Sequence, residues 1–441
     1  MKIFFSVGEP SGDIHGANLI RELKTQYARR DIREPLRCVG FGGPKMAEAG
    51  CEIHFDLTSL AVMWVLQVLR NIRTFFRLAD QAEAYFQTEK PDAVILIDYP
   101  GFNWHIARRA KKYNIPVYYY SPPQVWAWRP GRVEKIRKWV DVVFSGLPFE
   151  NAWLREHGCN SIYVGHPFFD EAGRSVSPKL TATLGSGELP NDDPSALLRH
   201  RDVGGYPSSQ EIKMSDEKNR GKKMVALLPG SRTQEVRLNF ATFLKVIPRI
   251  LAAVPEVSFT AAPFKEAHAA MIVEMIRRDP RMKEFYENGG IRIFPGRAAE
   301  VIRAADVCLS VSGSVSLELL YHEKPSVITY RVARYGWWLQ WYFRRVKYIT
   351  LVNLLAAENP FRNFNPEYTP GCADAAEVLF PEYLSCRDRS EWMADDLIRW
   401  LTDESAYAET VNRLRALKEK VAEGGAAQKA AEIILRQVFS F

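Results

Sequence analysis

Short apolar runs, separated by helix-length amphipathic segments, constrain the fold of this chain more than any other feature. In the first half the runs cover residues 2–8, 36–43, 92–98, 115–121 and 140–146. In the second half they cover 224–228, 257–261, 291–294, 306–310 and 325–330. They are continuously apolar rather than alternating, as expected of strands buried on both faces of a parallel sheet. The segments between them have helical spacing; residues 14–27, for example, place Ile14, Ala17, Ile20, Leu23 and Tyr27 on one side. Strands alternating with helices imply an α/β fold of two doubly wound, Rossmann-like domains. A chain of 441 residues, 47% of them hydrophobic, is long enough for two full cores. Residues 1–172 form the first expected domain and 222–388 the second. Residues 173–221 are rich in Ser, Gly, Pro, Asp and Lys, which reads as a mobile linker or insertion. Residues 389–441 are helical in pattern, with a break at Gly424-Gly425. These helices either pack back on the first domain or swap to a partner, which leaves a homodimer open. Ligands of such sheets bind outside the carboxyl ends of the strands, so the two domains are expected to share one cleft there.

Two glycine turns lie at such ends. In the second half, Leu227-Leu228-Pro229-Gly230-Ser231-Arg232 ends a strand and starts a helix. Backbone N–H groups at a helix start plus a guanidinium make an anion site. Ser312-Gly313-Ser314 follows a second strand and opens another helix. It either receives a pyrophosphate or simply caps the helix. Glu318, one turn on, either accepts hydrogen bonds from a ribose diol or is an exposed helical carboxylate. Together with Arg232, these groups point to a nucleoside diphosphate. The first half has a similar turn, Gly8-Glu9-Pro10-Ser11-Gly12-Asp13, with carboxylates in place of the cation. Asp13 reads as a cap for the helix that follows it, a reading that does not extend to Glu9. Asp98 ends an apolar strand just before Pro100-Gly101; it is a general base or a helix cap. His166, in Gly165-His166-Pro167, reads as structural.

No Asp-x-Asp and no cluster with metal-ligand spacing occurs, so no metal or cofactor is expected and Arg232 must supply the cation. The six cysteines are scattered without a Cys-x-x-Cys pair, which suits reduced thiols in a cytoplasm. The start of the chain lacks a signal-peptide pattern, and no apolar run reaches the roughly 20 residues needed to span a bilayer. A net charge of +7 fits several anionic partners and selects none. Two stretches fit an interfacial helix on anionic lipid, or else a buried helix with a basic end. One contains Val62, Trp64, Val65, Leu66 and Leu69, followed by Arg70, Arg73 and Arg77. The other contains Trp337, Trp338 and Trp341, followed by Arg344, Arg345 and Lys347. Tyr118-Tyr119-Tyr120 lies on a strand with at most one open face, so nucleic acid is not an expected partner.

An ordered set of motifs spans most of residues 1–360. It comprises Gly8–Asp13, Gly43-Pro44-Lys45-Met46, Leu60-Ala61-Val62-Met63, Ile97-Asp98 with Phe102-Asn103, and Ser121-Pro122-Pro123-Gln124-Val125-Trp126-Ala127-Trp128-Arg129. It continues with Leu147-Pro148-Phe149-Glu150, Gly165-His166-Pro167, Leu228–Arg232, Ser312–Ser314 with Leu317-Glu318, and Val352-Asn353-Leu354-Leu355-Ala356. In this set the chain resembles the lipid-A-disaccharide synthases, glycosyltransferases of the B-type fold. The resemblance implies an inverting, metal-independent transfer from UDP-2,3-diacylglucosamine to 2,3-diacylglucosamine 1-phosphate (lipid X) in Gram-negative bacteria, giving a β-1,6 disaccharide 1-phosphate and UDP. It implies a cytoplasmic enzyme, peripheral on the anionic inner membrane. By the same resemblance Asp98 is the base and Glu9 a second catalytic position. Arg232, with Gly230, Ser231, Ser312, Gly313, Ser314 and Glu318, holds UDP. Ser11, Asp13 and Asn103 are acceptor-side or other polar positions, Asn353 is another polar position implicated in activity, and residues 62–69 meet acyl chains or membrane.

The chain departs from the family pattern at Pro10, where Thr is common, and at Gly101, where many members have a second Asp. It also departs in the long 173–221 stretch and in the divergent residues 360–387. Two other readings remain. One is an enzyme of the same fold resembling UDP-N-acetylglucosamine 2-epimerase. The other is a non-catalytic binder of anionic membrane or nucleic acid.

Overall fold

The computed structural model describes residues 1–30, 32, 34–61, 72–174, 222–311, 313–334, 336–337, 343–361, 368–371 and 377–439. It divides into two compact units, Met1–Ser175 with Val421–Phe441, and Val176–Lys420. The expected linker, from residue 175 to 221, lies outside the described residues.

The first unit is built on seven parallel strands: β1 (Lys2–Val7), β2 (Arg37–Gly42), β3 (Glu52–Asp56), β4 (Ala93–Ile97), β5 (Val117–Tyr120), β6 (Val142–Ser145) and β7 (Ser161–Tyr163). Their order across the sheet is β3-β2-β1-β4-β5-β6-β7. The second has β8 (Met224–Leu228), β9 (Ser258–Ala261), β10 (Ile291–Ile293), β11 (Val307–Val311), β12 (Ser326–Arg331) and β13 (Glu382–Ser385), ordered β10-β9-β8-β11-β12-β13. In each all-parallel sheet the order of strand addition reverses once, between β1 and β4 and between β8 and β11. These are the topological switch points at which doubly wound sheets bind ligands.

The interior strands match the apolar runs because both of their faces are covered. Phe5, Ile95 and Ile97 pack on one face of the first sheet, while Phe4 on the other meets Phe41 and Phe86 edge-on. Of the edge strands, β10 matches the run 291–294, whereas β3, β7 and β13 carry no continuous apolar run and escape that pattern, β13 although it is buried throughout. In β3 both ends, Glu52 and Asp56, are exposed and the middle is only half-buried. An edge strand has fewer covered faces and therefore tolerates polar residues.

The C-terminal helices divide between the two units. Helix Ser390–Thr402 puts Met393, Leu397 and Trp400 into the core of the second unit. Helix Ala426–Val438 instead joins the first unit, burying Ala426, Ala430, Ala431, Ile434 and Leu435 with Ile3, Phe5 and Leu23. Gly425 adopts φ 92°, a left-handed value that glycine allows at the entry to this helix. The Asp170 carboxylate accepts the N–H groups of Gly425, Ala426 and Ala427 at 2.6, 3.0 and 2.8 Å, capping the helix from another element.

Candidate active site

At the first switch point β4 ends in a strained turn. Asp98 and Tyr99 both have left-handed backbones, with φ 47° and 44°, and Ser121 at the tip of neighbouring β5 has φ 55°. Non-glycine residues in this region cost about 1–3 kcal/mol each and cluster where a fold must aim functional groups. Helix Pro100–Lys112 then starts with Pro at its first position. The Tyr99 ring lies over Gly8, where a Cβ would fall 2.3 Å from the ring; only glycine lets the two turns approach so closely. A Cβ at Gly12 would sit 3.5 Å from Asp98 Oδ2, so the glycine turn after β1 frames the carboxyl. Burial raises the Asp98 carboxyl to about 7; His15 acts against this shift and Glu9 reinforces it. Glu9 sits exposed at the cap of helix Pro10–Ala28, and Ser11 is exposed in its first turn.

Several expected site residues have structural partners instead. Asp13 does not cap its own helix: its carboxylate accepts N–H bonds from Gly43, Lys45 and Met46 at 3.0, 2.9 and 3.0 Å, capping helix Pro44–Glu48. Asn103 is fully buried. Its amide donates to the carbonyls of Ser6, Ile97 and Asp98 at 3.2, 3.2 and 2.8 Å and accepts from Ser6 Oγ at 2.6 Å. It ties the tips of β1 and β4 together. The Tyr119 hydroxyl adds a 2.7 Å bond to the Asp98 carbonyl. Asn353 lies in the second unit. It is fully buried, accepts from the N–H groups of Leu379 and Phe380, and donates to the Phe380 carbonyl and to Glu382 Oε2. Glu382 also accepts from the N–H groups of Ile349 and Thr350. His166 accepts a hydrogen bond from Phe168 N–H, and burial lowers its proton affinity to about 3, as suits a structural imidazole.

At the second switch point Leu228 pairs in register with Ser310, so the turns after β8 and β11 are neighbours. Gly230 has φ 109°, and a Cβ there would meet Glu235 Oε2 at 3.2 Å and Val311 Cγ2 at 3.3 Å. Arg232 caps helix Thr233–Ala253 in extended conformation. Its side chain is 75% exposed and reaches Glu235 Oε1 at 3.1 Å. Ser231, Gly313 and Ser314 are exposed at the same edge. Ser314 stands at the start of helix Val315–Tyr321, and its side chain makes no capping hydrogen bond there. Glu318 is half-buried, and burial, reinforced by Glu300, raises its carboxyl. An exposed guanidinium beside two helix starts can hold a diphosphate through charge-assisted bonds. Ser312 lies outside the described residues, as do Val62, Trp64, Val65, Leu66, Leu69, Trp338 and Trp341. Among the described residues no group of three or more His, Cys, Asp or Glu side chains could hold a metal ion, and no helix is long and apolar enough to cross a membrane.

Sequence reasoning missed two groups beside Asp98. Glu150, fully buried, accepts from Trp126 Nε1 at 2.8 Å and Gly146 N–H at 3.2 Å, and burial raises its carboxyl to about 7. His15 and Glu171 approach to 3.0 Å. Leu147–Glu150 and Trp126 belong to the motif set, which could have marked the first group; no spacing signal joins His15 to Glu171.

Residues 3–185 and 205–388 match the family described as lipid-A-disaccharide synthetase. The chain belongs to the lipid-A-disaccharide synthase family. It is 31% identical over 434 residues to a lipid-A-disaccharide synthase from Alkalilimnicola ehrlichii, covering 98% of each chain. It is 30% identical over 441 residues to one from Geobacter sulfurreducens, covering 99% of this chain and 97% of that one. Members are glycosyltransferases, so the chain is a hexosyltransferase by family. Among solved structures it resembles UDP-GlcNAc 2-epimerase from Neisseria meningitidis bound to UDP-GlcNAc. The TM-score is 0.55 with 11% identity and full coverage of both chains. That likeness shows the shared fold of two Rossmann-like domains and does not favour epimerase chemistry.

Proposed function

We propose that the chain transfers 2,3-diacylglucosamine from UDP to lipid X by direct displacement, with Asp98 as the base. The single observation that carries this reading is the Asp98 carboxyl at the first switch point, buried enough to titrate near 7. A base is most effective when its proton affinity lies near the working pH. In the step, the acceptor hydroxyl loses its proton to an Asp98 oxygen as its own oxygen bonds to the anomeric carbon. The bond to UDP breaks, and its electron pair leaves on the diphosphate. Arg232 and the N–H groups at the starts of helices Thr233–Ala253 and Val315–Tyr321 offset that charge without a metal. Inversion follows from a single displacement, giving the β-1,6 linkage. Asn103 and Tyr119 act by fixing the Asp98 peptide, and Glu9 adds a second carboxylate beside it. The acylated substrates and the basic chain fit work at the face of an anionic inner membrane, with residues 62–69 as the contact. The test is a mass-spectrometric assay with UDP-2,3-diacylglucosamine and lipid X. The expected products are the tetraacyl disaccharide 1-phosphate and UDP. Inertness toward this pair, with turnover of non-acylated UDP-N-acetylglucosamine, would overturn the reading in favour of an epimerase-like enzyme.

A further inference from the structure

The turn after β8 holds an anion of the chain's own. Glu235 stands in the first turn of helix Thr233–Ala253, three residues after Arg232, and is half-buried. Its Oε1 accepts from Arg232 Nη1 at 3.1 Å. Its other oxygen lies against the turn itself. A Cβ at Gly230 would meet Glu235 Oε2 at 3.2 Å and Val311 Cγ2, at the end of β11, at 3.3 Å. Leu228 and Ser310 are register partners, so the turn after β8 and the end of β11 stand side by side. The carboxylate therefore sits over the junction of these two strands, at the second switch point. Tyr330, near the end of β12, feels both the negative charge of Glu235 and the positive charge of Arg232, which places the pair over the strand tips. An ordinary ion pair between residues three apart on an open helix face would meet only solvent.

We propose that Glu235 is an internal competitor of the diphosphate: its carboxylate and UDP take turns on Arg232 and the Gly230 turn. This inference rests on Arg232 holding the diphosphate. Carboxylate and phosphate oxygens draw on the same donors, a guanidinium fork and the N–H groups of a helix start. Two anions packed on one turn also repel. The diphosphate carries more charge than one carboxylate and wins the exchange, but its net affinity is lowered by the release of Glu235. Such an exchange suits a reaction that ends with UDP. The leaving diphosphate gains charge as its bond to the sugar breaks, and a fixed cation then holds it more tightly. Return of the Glu235 carboxylate gives the guanidinium a new partner in the step that frees UDP. The Arg232 side chain is 75% exposed, and an ion pair so open to water adds little to stability. Glu235 can therefore let go of it while the helix stays folded.

The experiment is calorimetric titration of the full chain with UDP, in Glu235→Gln, Glu235→Ala, Arg232→Ala and the double variant Arg232→Ala with Glu235→Gln. Gln keeps the shape of Glu and removes its charge. Kd for UDP is expected to fall roughly three- to tenfold in both Glu235 variants, the scale of one exposed ion pair no longer broken on binding. Stopped-flow measurement should find the gain mostly in slower UDP release. KM for lipid X should change by less than about twofold. In the Arg232→Ala background the gain should shrink, because no guanidinium is left to compete for. Unchanged or weaker UDP binding in folded Glu235→Gln would overturn the proposal, as would a gain that persists in full without Arg232. Should Glu235→Gln not fold, Glu235→Ala is read in the same way. Failure of both to fold also overturns it, since the turn itself would then require the carboxylate. If Arg232→Ala keeps wild-type UDP affinity, the diphosphate reading fails; if it weakens binding while Glu235→Gln does not tighten it, only the role of Glu235 fails.

Discussion

Replacing Asp98 by Asn removes a charge that the fold resists, and the consequence for stability can be worked out. Burial raises the carboxyl from its ordinary 3.8 to about 7. Between those values the folded chain keeps a proton that the unfolded chain has released. Stability therefore falls as pH rises through this window, by about 1.4 kcal/mol per pH unit. The window is roughly three units wide, so the cost grows to about 4 kcal/mol above pH 7 and disappears below about pH 4. Asn has nearly the same shape, carries no charge, and tolerates the left-handed φ of 47° well. The bonds from Asn103 and Tyr119 go to the main-chain carbonyl and survive the change. Glu150, whose carboxyl burial raises with a further contribution from Asp98, is relieved of that like charge in the variant, a change of the same sign. Asp98→Asn should therefore stabilise the first unit by up to about 4 kcal/mol at about pH 8 and hardly at all near pH 4, while turnover falls about 100-fold or more. Urea denaturation followed by tryptophan fluorescence across that range measures the difference. A gain that does not depend on pH, or a loss of stability at about pH 8, would refute the argument.

Arg232→Ala should weaken UDP binding by roughly 10- to 100-fold, the scale of a charge-assisted hydrogen bond; unchanged affinity by calorimetry would remove its role. Asn103→Ala strands buried partners on β1 and β4 and should cost about 2–4 kcal/mol, with a fall in kcat as the Asp98 peptide loosens. Wild-type urea stability and turnover would contradict this. Asp170→Ala exposes the start of the last helix to an unpaid cap and should lower first-unit stability by about 1–2 kcal/mol in thermal melts. Turnover should persist in EDTA, and a strict magnesium requirement would reject Arg232 as the neutralising cation.

The interior strands were legible because a strand covered on both faces has little choice but to be apolar, as in Ala93–Ile97. The edge strand Ile291–Ile293 was legible too, but Glu52–Asp56 was not, since Glu52 and Asp56 face solvent and resemble loop residues. Asp98 and Arg232 were legible as site candidates because each stands at a strand end next to a Pro-Gly turn. Asp13, Asn103 and Asn353 show what sequence hides. A buried polar group that satisfies distant N–H and C=O groups reads the same as one that meets a substrate. Their partners, such as Gly43 for Asp13 and Phe380 for Asn353, are set by the fold and not by local spacing. The His15–Glu171 pair is hidden for the same reason, its members joining only when two helices pack.

The return of helix Ala426–Val438 to the first unit has a consequence for synthesis. The second unit is, in chain order, an insertion into the first. A ribosome makes the sheet strands β1 to β7 early and the helix that covers Ile3 and Phe5 last. At roughly 5–20 residues per second, the interval is on the order of tens of seconds. Throughout it an apolar face of the first sheet lacks its cover while the second unit can already complete its own core. The nascent chain is thus most exposed to aggregation in its earliest-made part, and a holding chaperone would act there longest.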